Sequence, residues 1–135
     1  MTRFVIGPDA ALRLARLEAR IPATHQLLAP TLIRSQLLAH FYGQVRRGEL
    51  DERTAKRQLD YLRGLRLRLL GDRSLQSVAW RIADQLGWPD TFVAEYIALT
   101  RLQADAFICM DPDLSHAASG LVTVASVDDL LGDST

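Results

Sequence analysis

Short apolar runs alternate with longer segments of helical periodicity along almost the whole chain. The runs have the length of strands and are bounded by glycine, proline or acidic residues. The segments between them repeat their apolar side chains with the 3.6-residue period of a helix. Because parallel strands need long and usually helical crossovers, this alternation predicts an α/β fold with a mainly parallel sheet of four or five strands.

The order of the predicted elements is β-α-β-α-α-β-α-α-β-α-β, followed by a last turn of helix. The predicted strands cover residues 3–6, 27–29, 65–70, 107–110 and 121–125. The predicted helices cover residues 9–21, 31 to between 43 and 48, 52–64, 74–86, 91–103, 112–119 and 126–131. Asp51, Ser74 and Asp90 are the expected N-caps of the third, fourth and fifth helices. Arginines interrupt the run at 65–70, so that segment also permits a helix.

Length and composition predict one cytoplasmic domain spanning residues 1–135. A chain of 135 residues buries enough surface on folding to need no covalent crosslink. Cys109 is the only cysteine and lies inside an apolar run, which predicts a buried thiol in a reducing compartment. We find no signal-peptide pattern and no apolar window of the ~18 residues that a membrane span requires.

Charge is balanced overall but unevenly distributed. Residues 34–73 carry ten basic and five acidic side chains, whereas residues 74–135 carry two basic and nine acidic ones. The arginines of the middle segment have the planar fork that binds RNA phosphates well. Interleaved acidic residues at helical spacing offer a simpler interpretation, in which these arginines form ion pairs within their own helices.

A possible metal site is indicated by the segment of residues 106–114, where an apolar run ends in Asp111. Such a run places its carboxylate at the carboxyl edge of a parallel sheet, where open α/β folds build their sites. A Mg²⁺ or Mn²⁺ site needs more than one carboxylate. The partners of Asp111 therefore decide whether the chain can be a metal enzyme.

The order of elements and several short strings resemble the PIN domain, a small nuclease fold best known from the VapC toxins of bacterial toxin-antitoxin pairs. The strings that carry the resemblance lie at residues 3–6, 28–32, 83–87, 94–99 and 105–114, and the order of elements extends the resemblance over nearly the whole chain. The resemblance implies a three-layer α/β/α domain. It also implies divalent-metal hydrolysis of a phosphodiester, with three or four carboxylates holding the metal.

Transferred position by position, the implied metal site is degenerate. The first three family carboxylates correspond to Gly7, Gln36 and Val93, and only the fourth, Asp111, remains. Glycine and valine offer no ligand, and an amide supplies no charge. We expect these four residues to converge in one vestigial pocket, with no confident catalytic residue and little affinity for metal.

The alternative is that carboxylates have moved along the chain. Asp9, Asp90, Asp111 and Asp113 would then form a rearranged Mg²⁺ or Mn²⁺ site. The simpler interpretation is that Asp9 and Asp90 satisfy backbone donors at the starts of helices, as aspartate commonly does.

These observations predict a PIN-like pseudoenzyme that acts as a binding or regulatory module and needs no cofactor. Its expected partners are a second copy of the chain or an antitoxin-like protein, with RNA as a further candidate and no membrane. The alternative is an active Mg²⁺- or Mn²⁺-dependent endoribonuclease toxin that uses the rearranged carboxylates. A third interpretation is a structural subunit that only dimerises or captures an antitoxin-like helix.

Overall fold

The computed structural model describes residues 1–132, and this part of the chain forms five strands and seven helices. The strands are β1 (Thr2–Ile6), β2 (His25–Pro30), β3 (Leu67–Leu70), β4 (Ala106–Ile108) and β5 (Val124–Ala125). The helices are α1 (Pro8–Leu17), α2 (Leu32–Arg46), α3 (Glu52–Gly64), α4 (Arg73–Leu86), α5 (Phe92–Gln103), α6 (Pro112–Ser119) and α7 (Val127–Leu131). The predicted order of elements is confirmed.

All five strands form one parallel sheet in the order β3-β2-β1-β4-β5. The central strand β1 sets the register, since Val5 pairs with Leu28 on one side and with Phe107 on the other. Val5 is fully buried, as are its neighbours in the middle of the sheet. A strand covered on both faces has no need of polar residues, which explains the unbroken apolar runs in the sequence.

Helices cover both faces of the sheet. Right-handed crossovers place α1, α2 and α3 on the face reached from β1 towards β3, and α4, α5 and α6 on the opposite face. Helix α1 packs against α2 and α3, while α5 packs against α4 and against β1, β2 and β4. This is the predicted three-layer α/β/α architecture. Among the described helices, none combines the length and apolar character that a bilayer crossing requires.

The direction of the chain across the sheet reverses between β1 and β4. From β1 the chain moves outward through β2 to β3, and from β4 it moves outward the other way to β5. At such a switch point the two crossovers leave in opposite directions, which opens a crevice beyond the carboxyl ends of the two strands. The residues that follow β1 and β4 therefore face each other.

Helix α1 and strand β3 are both shorter than predicted. In each case, hydrogen bonds at the end of a helix set the boundary of the element. Helix α1 ends at Leu17, since Glu18 adopts a left-handed conformation with φ of 47° and its amide donates to the carbonyl of Ala15. Strand β3 begins at Leu67, because the amide of Leu65 donates back to the end of α3. A glutamate in the left-handed conformation is uncommon, so the end of α1 could not be predicted from the sequence.

The last two strands are also shorter than predicted. Strand β5 covers only Val124–Ala125, since the amides of Leu121 and Val122 both donate to the carbonyl of Ala118 at the end of α6. Strand β4 ends at Ile108, two residues before the predicted end, because the amide of Met110 is bound by a side chain instead of a strand.

Two predicted helix caps are corrected. The N-cap of α4 is Asp72, not Ser74, and the Asp72 carboxylate accepts a hydrogen bond from the Leu75 amide at 2.9 Å. In α5 the N-cap position belongs to Thr91, whose side chain makes no capping bond. Asp90 nevertheless accepts from the Phe92 amide at 3.2 Å, so it serves the start of α5 from one residue further out.

The capping assignment of α4 is testable with two matched alanine substitutions. Asp72→Ala removes the acceptor for a first-turn amide and should lower the free energy of unfolding by about 1 kcal/mol. Ser74→Ala removes no capping bond and should change it by less than about 0.5 kcal/mol. Urea denaturation of both variants measures the difference. An equal loss in the two variants would contradict the assignment.

Candidate functional site

The candidate site lies at the carboxyl edge of the sheet, in the crevice between β1 and β4. Gly7 follows β1, and its amide donates to the carbonyl of Ile108 at 3.1 Å, which extends the pairing of the two strands by one bond. The residues after β4 are Cys109, Met110 and Asp111. The pairing of β1 with β4 thus brings Gly7 beside the loop that carries Asp111.

Asp9 joins the two strand ends through its carboxylate. Its Oδ2 accepts hydrogen bonds from the amides of Met110 at 3.0 Å and Asp111 at 3.2 Å, while Oδ1 accepts from the amide of Ala10 at 2.7 Å. We call the contact of Asp9 with Met110 and Asp111 the Asp9 bridge. Asp9 does satisfy backbone donors, as predicted, but two of these donors belong to the β4–α6 loop.

The Asp9 carboxylate also fills the space beside Gly7. A Cβ atom added to Gly7 would lie 3.1 Å from Oδ1 of Asp9 and 3.5 Å from the ring of Phe107. A side chain at position 7 would therefore start against the carboxylate that arrives from position 9. The negative charge expected after β1 is present in space, although it comes from a residue two positions later.

Asp111 is committed to the start of helix α6. Its Oδ1 accepts from the amide of Asp113 at 3.2 Å, its amide donates to Asp9, and its carbonyl accepts from Sγ of Cys109 at 3.6 Å. The Cys109 side chain is buried, as predicted, and burial raises the pKa of its thiol. Cys109 is thus a neutral packing residue that also holds the loop of Asp111.

Gln36 is bound to Tyr96, a residue that sequence reasoning did not assign to the site. The Tyr96 hydroxyl donates to Oε1 of Gln36 at 2.5 Å, which links α2 to α5. Burial raises the pKa of Tyr96, and the negative charges of Glu95 and Asp9 raise it further. The phenol stays protonated and acts as the donor. The signal available in the sequence was a tyrosine among the apolar residues of α5. Tyr96 is fully buried in the structure, and a buried hydroxyl needs a hydrogen-bond partner.

Val93 lies one turn before Tyr96 on α5 and is half-buried against the hydrophobic core. Its side chain therefore contributes to packing and offers no ligand. Glu95, the nearest carboxylate in sequence, is also partly buried, and this burial raises its pKa.

Some of the predicted site residues lie close together in the structure, and others form hydrogen bonds on other elements. Gly7, Asp9 and Asp111 meet at the ends of β1 and β4. Gln36 is linked to α5 through Tyr96. Asp90 serves the start of α5, and Asp113 lies exposed in the first turn of α6.

These residues do not fit a divalent cation. Within residues 1–132, no group of three or more His, Cys, Asp or Glu side chains is placed to hold a metal. The oxygens of Asp9 accept three backbone amides, and Oε1 of Gln36 accepts a phenol. A hard cation needs several free oxygens and their negative charge, which this edge does not offer.

The fold is shared with solved structures. PAE2754 from Pyrobaculum aerophilum has a TM-score of 0.75 at 19% identity, covering 97% of this chain and 95% of that one. VapBC2 from Rickettsia felis, solved with a DNA fragment from its promoter, has a TM-score of 0.61 at 10% identity, covering 92% and 98%. No family model and no curated protein matches the sequence. The likeness establishes the fold, which is the PIN-like α/β/α fold predicted above.

Removal of the Asp9 bridge should cause a local and measurable loss of stability. Asp9→Ala removes the acceptor for two loop amides and should lower the free energy of unfolding by about 1.5–3 kcal/mol, as for hydrogen bonds to charged groups. The amides of Met110 and Asp111 should then exchange their hydrogens faster. Chemical denaturation and amide exchange followed by NMR measure the two effects.

Asp113→Ala is the matched control for the Asp9 substitution. Asp113 is an exposed aspartate in the first turn of α6 and accepts no bond from another element within residues 1–132. Its removal should cost less than about 1 kcal/mol and leave the exchange of the Met110 amide unchanged. Comparable losses in both variants would show that the Asp9 bridge does not stabilise the loop.

Proposed function

We propose that the chain is a non-catalytic PIN-like domain that acts as a binding or regulatory module for a protein partner. The observation that carries this proposal is the state of the carboxyl edge. Position 7 has no side chain, and the carboxylate beside it accepts backbone amides. Gln36 and Val93 add a neutral amide and an apolar surface.

Charge explains why such an edge is a poor hydrolytic centre. A divalent metal activates water only when enough carboxylate charge and oxygen ligands hold it in place. Asp111 is the one carboxylate left from the pattern implied by the PIN resemblance, and it caps α6. Without the metal, no other group described at this edge supplies a strong nucleophile at neutral pH.

The alternative function is a Mg²⁺- or Mn²⁺-dependent endoribonuclease with rearranged carboxylates. One observation favours it, since the carboxylate of Asp9 touches the backbone of Asp111 and two of the four proposed ligands are therefore neighbours. Against it, Asp90 accepts a backbone amide at the start of α5, and within residues 1–132 no group of three or more His, Cys, Asp or Glu side chains is placed to hold a metal. The non-catalytic function is therefore the one that the geometry supports best.

A protein partner is supported by a solved structure of similar fold. The Rickettsia felis structure is of VapBC2 on promoter DNA. By analogy, we propose an antitoxin-like protein as the partner of this chain.

RNA is the less favoured partner in this proposal, because several basic side chains of residues 34–73 form ion pairs with acidic side chains of the same chain. Lys56 bonds Glu52 at 2.8 Å and Arg63 bonds Asp60 at 2.9 Å, both within α3, and Arg57 reaches Glu18 on α1 at 3.1 Å. Arg47 likewise bonds Glu49. This pattern is the intramolecular pairing that the sequence suggested as the simpler interpretation.

Catalytic silence is the central test. The purified protein with Mg²⁺ or Mn²⁺ should cleave neither single-stranded nor structured RNA above the background rate, because the edge cannot concentrate the metal. Asp111→Ala should leave the result unchanged. A gel assay on labelled RNAs measures cleavage. Mn²⁺-dependent cleavage that disappears in Asp111→Ala would establish the alternative function and assign the metal to the set containing Asp9 and Asp90.

Self-association is a separate prediction from the resemblance, because PIN-like toxins commonly dimerise. Two side chains of α5, Phe92 and Leu102, are half exposed and available for such a contact. Sedimentation equilibrium should show a mass that rises with concentration, and Phe92→Ser should weaken the association. A monomer at every concentration would contradict it.

A further inference from the structure

A cavity of about 520 Å³ opens at the amino edge of the sheet, at the opposite end of the strands from the Asp9 bridge. It lies between the α1–β2 loop and the linker that joins α3 to β3. Its lining is mostly apolar with a few polar side chains, and includes Ile21, Pro22, Leu27 and Leu65 together with Gln26 and Arg66. We call it the amino-edge cavity. Cavities of roughly 300–1,000 Å³ with this kind of lining commonly hold small molecules.

Both walls of the amino-edge cavity are held in place by hydrogen bonds. On one side, the Tyr61 hydroxyl donates to the carbonyl of Ala19, and the amide of His25 donates to the carbonyl of Pro22 at 3.0 Å. On the other side, the amide of Leu65 donates to the carbonyl of Tyr61 at 3.2 Å. The cavity is therefore formed before anything binds, and a ligand has no need to order either wall.

The apolar part of the lining is continuous with the hydrophobic core. Leu27 belongs to that core, and the partly buried Ile21 and Leu65 pack against it. The ring of His25 lies edge-on to the ring of Phe4, with 5.1 Å between the ring centroids. A ligand with an apolar body would shield these side chains from water, which favours binding.

Two polar side chains of the cavity make no bond within residues 1–132. These are the exposed guanidinium of Arg66 and the half-buried side-chain amide of Gln26. Arg3, which lines a neighbouring cavity, differs because its guanidinium donates to the carbonyl of Gln103 at 3.4 Å. Arg66 and Gln26 thus keep their N–H donors for a ligand, and Arg66 adds a positive charge.

We propose that the amino-edge cavity binds a small-molecule carboxylate that carries an apolar chain or ring. The carboxylate accepts two N–H bonds from Arg66 and a further one from the Gln26 amide. The apolar body lies against Ile21, Leu27 and Leu65. This site is at the other edge of the sheet from the candidate site and is independent of the proposed protein partner.

Charge selects the ligand. Among the described residues no aspartate or glutamate lines the cavity, so a cation of the same shape would meet Arg66 without a counter-charge. Arg66 is the only arginine or lysine of the lining within residues 1–132, which matches a single carboxylate better than a multiply charged anion. A small anion without an apolar body would leave most of the lining in contact with water.

Three probes separate the parts of the expected ligand. Decanoate has the chain and the carboxylate, decyltrimethylammonium has the same chain with a positive head, and acetate has the carboxylate alone. Each is titrated into isotope-labelled protein below its micelle concentration, and the amide shifts are followed by NMR. Decanoate should shift the amides of residues 21–27 and 64–66 and bind at least about tenfold more tightly than the other two.

Ala23→Trp tests the cavity itself. Ala23 lines the cavity from an exposed position, so a bulky side chain there should fill the space and abolish the binding of decanoate. The matched control is Ala39→Trp, at an exposed alanine of α2 outside the cavity, which should bind decanoate within about twofold of the wild type. Decanoate should raise the thermal unfolding temperature of the wild type and of Ala39→Trp, but not that of Ala23→Trp.

Arg66→Glu tests the charge. It should weaken decanoate binding at least about tenfold and should bind decyltrimethylammonium better than the wild type does. Arg68→Glu is the matched control, because Arg68 is an exposed arginine two residues later that does not line the cavity. It should change either affinity by less than about twofold. Circular dichroism confirms that each variant is folded.

Four results would overturn the proposal. They are no amide shift with decanoate, equal affinity for decanoate and decyltrimethylammonium, decanoate shifts that persist in Ala23→Trp, and tighter binding of a peptide with a C-terminal leucine, which would make a protein terminus the ligand. RNA cleavage reports on the carboxyl edge, so the proposed ligand and the non-catalytic function succeed or fail separately.

Discussion

One carboxylate holds together the two strand ends on which the candidate site depends. Asp9 lies in the first turn of α1, and its Oδ2 binds the amides of Met110 and Asp111 after β4. Parallel strands bring these residues close, but they do not fix the loops that follow them. In a metal-binding edge a cation would tie such loops together. Here backbone hydrogen bonds to an anion perform that structural task, and they engage both oxygens of its carboxylate.

The second link across the edge is neutral. The Tyr96 hydroxyl donates to Gln36, and burial keeps that hydroxyl protonated by raising its pKa. The two links engage the oxygens of Asp9 and Gln36 with donors from the chain itself. A groove lined by aliphatic side chains and two arginines lies elsewhere, at the edge strand β3. The candidate site at the ends of β1 and β4 and the groove at β3 thus lie at different places on the molecule.

The fold was predictable because burial imposes a pattern. Residues 4–6 of β1 are apolar since both faces of the strand are covered there, and α3 begins at the predicted residue because Asp51 is a recognisable cap. Element ends were missed where contacts distant in sequence decide them, as when Asp9 takes the amide of Met110 and ends β4. At the site, Gly7, Gln36 and Val93 were predicted from their spacing to the resembling strings, and the structure places Gly7 beside Asp9. Tyr96 and the bridging role of Asp9 were not found, because both are defined by partners on other elements.

The closeness of positions 7 and 9 also constrains how such a chain changes over evolutionary time. A side chain at position 7 meets the Asp9 carboxylate at 3.1 Å, so an aspartate there would set two negative charges against each other. Removing Asp9 first would instead release the loop after β4 before any replacement existed. The effects of substitutions at positions 7 and 9 are therefore coupled, and the residue tolerated at one position depends on the residue present at the other.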